Sequence, residues 1–94
     1  MDSKAFVRGI SKKLEPVAPI ILPNIIKKQL QEVGATENSL TPEVAEKFIK
    51  RMELALQMFV GPDGTKMARQ MMLKELRKCA PKYFENRPLF KNPD

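Results

Sequence analysis

Prolines and glycines cut this chain into four stretches, and in each of them apolar residues recur at three- and four-residue intervals. That spacing lines one face of an α-helix. A half-buried strand needs strict alternation instead, and no run of four or more residues alternates apolar and polar side chains with β-branched enrichment. The pattern therefore predicts an all-α fold.

The first helix is expected from Ser3 to Leu14, with Asp2 or Ser3 as N-cap, Phe6, Val7, Ile10 and Leu14 on one face, and Pro16 as the stop. Gly9 inside it costs roughly 0.8 to 1.0 kcal/mol of helix propensity relative to Ala, so this helix depends on packing. A second helix begins near Pro19 to Pro23, puts Leu22, Ile26, Leu30 and Val33 on one stripe and ends at Gly34. Leu40-Thr41-Pro42-Glu43 is the clearest start signal: a hydrophobic residue, an N-cap hydroxyl, an N1 proline and an acid facing the helix dipole.

The third helix runs from there to Val60. Val44, Ala45, Phe48, Ile49, Met52, Ala55, Leu56 and Phe59 form its core face, and Glu43 with Lys47 and Glu46 with Lys50 make surface pairs. Gly61-Pro62-Asp63-Gly64 reverses the chain. Asp63 or Thr65 then caps a fourth helix, which runs to about Ala80 and carries Ala68, Met72, Leu76 and Cys79 on its buried side. Cys79 is expected there as a small apolar residue, and Tyr83 continues the same face beyond Pro81.

A 94-residue chain is one domain's worth. The simplest way to bury these stripes is a compact four-helix single domain over 1–84, followed by a short extended tail, 85–94, that either docks Leu89 and Phe90 or stays loose. The longest apolar stretch, Val17 to Ile26, is interrupted by two prolines and falls short of the ~20 residues of a membrane span. No integral membrane association is expected, no secretory signal is read, and a cytoplasmic setting with Cys79 reduced follows.

The chain has no His and no Trp, one Cys and one Tyr. A Ser-His-Asp or Cys-His nucleophile, a zinc cluster and a disulfide framework cannot be assembled from such a set in one copy. Its carboxylates are scattered beside lysines, and Gly61 to Lys66 lacks the spacing of a phosphate loop. A protein without catalysis, cofactor or metal is expected.

Two surfaces attract attention. Leu54 and Met58 lie off the core face of the third helix, and Met67 and Met71 lie between the core and basic sides of the fourth. Together they predict an apolar corner for a protein partner or a homodimer. Lys66, Lys74, Arg77 and Lys78 fall within about 120° on the helical wheel with Glu75 as the only acid among them, and the net charge is +6. That face, joined by Lys4, Arg8 and Lys12 of the first helix, is the alternative site, for the phosphate backbone of a nucleic acid. No aromatic residue interleaves with its cations, so contacts there would be independent of sequence.

From Leu22-Pro23-Asn24-Ile25-Ile26-Lys27-Lys28 through Gly34-Ala35 to Leu40-Thr41-Pro42-Glu43-Val44-Ala45, the chain resembles the opening of a histone fold, over about residues 18–60. It departs from that family in about one extra turn, Gln29 to Val33, on the short helix before the loop and in the Gly61-Pro62 stop. The resemblance implies a handshake dimer through Phe48, Met52, Leu56 and Phe59, with DNA or a protein at the loops.

Overall fold

The computed structural model describes residues 1–85, with side chains through Tyr83. Among these residues the regular structure is entirely helical: α1 (Ser3–Leu14), α2 (Leu22–Glu32), α3 (Pro42–Cys79) and the short α4 (Pro81–Glu85). The expected tail and its Leu89 and Phe90 lie outside the described residues.

α1 has the bounds its periodicity predicts. Asp2 caps it by accepting the Ala5 backbone N–H on Oδ1 at 3.1 Å. Ser3 is not the cap. Its buried hydroxyl donates to the Glu37 carbonyl at 2.7 Å and accepts the Leu40 N–H at 2.9 Å, tying the start of α1 to the loop before α3.

α2 ends where glycine permits. Gly34, at φ 70°, donates to the Gln31 carbonyl and Ala35 donates to that of Leu30, which is the Schellman arrangement of helix-end bonds. Thr41 then caps α3 by accepting the Val44 N–H at 3.3 Å, as its sequence predicts.

α3 is bent into two arms, 42–60 and 62–79, by Gly61 at φ 72° and ψ 178°, a conformation that glycine alone adopts without strain. A straight helix of 38 residues would be about 57 Å long. The longest dimension of the fold is 34 Å. The arms therefore fold back on each other, and the Arg69 guanidinium reaches the Glu53 carboxylate at 3.5 Å across the bend. The third and fourth helices of the sequence reading are these two arms. Neither Asp63 nor Thr65 caps the second arm, because Pro62 starts it directly after Gly61; Thr65 donates its hydroxyl back to the Gly61 carbonyl at 2.7 Å instead.

The four stripes meet in one core. Phe6, Ile10 and Leu14 of α1, Leu22, Ile26 and Leu30 of α2, Phe48, Met52 and Leu56 of the first arm, and Met72 and Leu76 of the second are all buried in a single cluster. The Phe6 and Phe48 rings pack edge to face with centroids 6.3 Å apart. Val33, Val44, Ala55, Cys79 and Tyr83 are half-buried at its margin.

Two acids depart from expectation. Glu46 is buried rather than on the surface, and Glu75 is buried against Gly9 of α1 rather than standing among the lysines of the second arm. The helical wheel gives a residue's direction but not which neighbour lies there, and for Glu75 that neighbour is α1.

Candidate partner-binding groove

α2 runs antiparallel to the first arm of α3 beside it. The side-chain carbonyl of the buried Gln29 accepts from the Arg51 Nε at 3.3 Å, and Arg51 also pairs with Glu32 at 3.0 Å. Toward the bend the helices no longer close on each other. They flank a groove of about 530 Å³ lined by Ile21, Asn24, Ile25, Lys28 and Gln29 on one side and by Arg51, Leu54, Ala55, Met58 and Phe59 on the other.

Ile25 at the floor of this groove is buried, but three of its apolar side chains are open to solvent. Leu54 is 61% exposed, Met58 85% and Phe59 58%, and Ile20, next in the chain to Ile21, is 88% exposed. Phe59 therefore corrects the expectation that it belongs to the core. Its helical phase is that of Met52 and Leu56, yet those two side chains are fully buried while Phe59, one turn nearer the bend, stands at the groove. Phe59, with Ile21 and Ala55 beside it, is the part of the surface that helical phase alone did not reveal.

The predicted apolar corner is divided. Leu54 and Met58 line the groove, whereas Met67 and Met71 do not. Met67 is 57% exposed on the second arm, and Met71 is half-buried against the core. The structure thus brings together two of the four residues that sequence spacing grouped.

Lys66, Lys74, Arg77 and Lys78 are all exposed on the second arm, as are Lys4, Arg8 and Lys12 on α1. The inward turn of Glu75 removes the acid that the wheel placed among the first four.

A larger groove, about 560 Å³, lies between α1, α2 and the loop after α2, with Val7, Leu22, Ile26 and Leu30 in its wall and Glu15, Lys27 and Glu37 among its charged residues. Val7, Leu22, Ile26 and Leu30 belong to the buried core.

Burial pushes the Glu53 carboxyl above its ordinary value, and Arg69 and then Lys50 oppose that without reversing it. Burial, and next the charge of Glu75, raise the Cys79 thiol, with Lys78 opposing, so the thiolate form is disfavoured. Among the described residues no three Cys, Asp or Glu side chains gather as a metal site, and no helix is long and apolar enough to cross a membrane.

No family model, curated protein or solved structure matches this chain. The handshake surface implied by the histone-fold resemblance is closed within the monomer. Phe48, Met52 and Leu56 are fully buried there, leaving only Phe59 of that set accessible.

Proposed function

We propose that the chain is a non-catalytic helical interaction module that engages a protein through the groove between α2 and the first arm of α3. Support comes from one observation: Leu54, Met58 and Phe59 are exposed around one concave apolar surface, while the apolar stripes elsewhere meet in the core. An apolar surface of this kind is ordinarily covered by a partner. The expected setting is the cytoplasm, where Cys79 remains a thiol.

Two measurements test this function. A photoreactive side chain at position 58 should give discrete protein adducts in the native extract, and Leu54→Ser should remove them. Sedimentation at micromolar and near-millimolar concentration decides whether the protein adduct is a second copy. A position-58 probe that captures nothing removes the proposal.

The basic face supports a second reading, as an accessory to nucleic acid, because Lys66, Lys74, Arg77 and Lys78 are all exposed along the second arm. Neutralising Z phosphates on duplex DNA should give a log-log salt slope near −0.9Z. Binding that is absent at low salt, or indifferent to salt, eliminates it.

A further inference from the structure

Taking the α2–α3 groove as the docking surface proposed above, we infer that its occupant is an acidic amphipathic helix of another protein. Its carboxylates face Lys28 and Arg51, and its apolar anchors lie against Met58 and Phe59.

The groove is polarised along its length. Lys28 and Arg51 stand at one end, and the antiparallel course of the two helices puts Ile21, Met58 and Phe59 at the other. Arg51 is held by Glu32 and Gln29, yet its side chain remains 46% exposed. Past Arg51 the cationic character continues, since Lys47 and Lys50 line the adjoining hollow with Glu32 as its one acid. An occupant must therefore be apolar toward the bend and negative toward the other end.

The groove has the length for a short helix. From Arg51 to Phe59 the wall rises about 12 Å at 1.5 Å per residue, which accommodates roughly two turns of helix with anchors at i, i+3 or i+4, and i+7. Charge selects against a second copy. Each chain carries +6, so two copies repel on approach, whereas an acidic helix is attracted by the same field.

The test is a display selection with the full-length protein, using a library of 14-residue helical peptides randomised at exposed positions without charge bias. Retained peptides should carry several-fold more Asp and Glu than the library, concentrated at one end, and lose binding to Met58→Ser. Lys28→Glu, a surface change checked for folding by circular dichroism, should weaken the retained acidic peptides roughly fivefold and should shift a fresh selection toward Lys and Arg. Groove-dependent peptides without acidic excess would overturn the inference and leave the docking reading standing. Selection of no peptide that depends on Met58 would overturn both.

Discussion

Gly9 of α1 lies against the carboxylate end of Glu75 in the second arm of α3, so close that a methyl group at position 9 would overlap it. The helix gives up propensity at this position because α1 must approach a buried acid. Gly9→Ala gains about 1 kcal/mol of propensity. The Glu75 side chain is flexible but buried, so making room means shifting it within a packed core, which costs about 1–3 kcal/mol and should outweigh the gain. Urea unfolding should show a net loss for Gly9→Ala, and the double variant Gly9→Ala with Glu75→Ala should be more stable than the two single losses sum to.

Ser3 joins two segments that are distant in sequence. Removing its hydroxyl leaves the Leu40 N–H and the Glu37 carbonyl without that partner at a largely buried junction. Ser3→Ala should cost about 1–3 kcal/mol. Asp2→Ala removes only an exposed cap and should cost about 1 kcal/mol. Thermal unfolding of the two variants ranks them.

Gly61 and Gly34 both have positive φ, and an added Cβ would meet nothing within 4 Å at either, so substitution there reads backbone strain alone. At ψ 178° Gly61 is outside the left-handed helical region that Asn tolerates. Gly61→Asn should cost about 2 kcal/mol or more, while Gly34→Asn, at a helix C-terminus, should cost under about 1 kcal/mol. Equal losses would show that the bend does not depend on glycine.

Glu53 predicts a pH effect. Its folded-state pKa is raised, so the folded chain binds the proton more tightly than the unfolded chain does. This group's contribution to stability is accordingly greatest at low pH and is lost as pH rises from the unfolded value through the folded one. Glu53→Gln should become more stable relative to the parent as pH rises across that window, and no less stable at pH 7, despite losing the Arg69 pair. Parallel denaturation series at pH 4 to 7 check the slope.

Local signals were legible in the sequence, and relations between helices were not. Thr41 and Pro42 define the start of α3 because a cap needs only neighbouring residues, and Gly34 ends α2 for the same reason. The reversal at Gly61 was also legible, since proline and glycine act on their own backbone. Phe59 shares the phase of the buried Met52 and Leu56 but is exposed, because phase specifies a direction and not what lies there. Glu46 and Glu75 sit where the wheel of a lone helix points outward, yet both are buried, because the wheel does not show what the rest of the fold places there. Met67 and Met71 were grouped with Leu54 and Met58 from nearness to a bend. Which sides of the two arms face α1 and α2 depends on packing that no single helix encodes.

The chain's methionines permit a direct test of the docking surface. Methyl NMR of labelled protein, titrated with native extract, should show the Met58 signal shifting and broadening while that of Met67, exposed on the other arm, stays fixed; Leu54→Ser should restore the free spectrum. A Met67 response without one at Met58, or an unchanged Met58 signal throughout, would contradict the account.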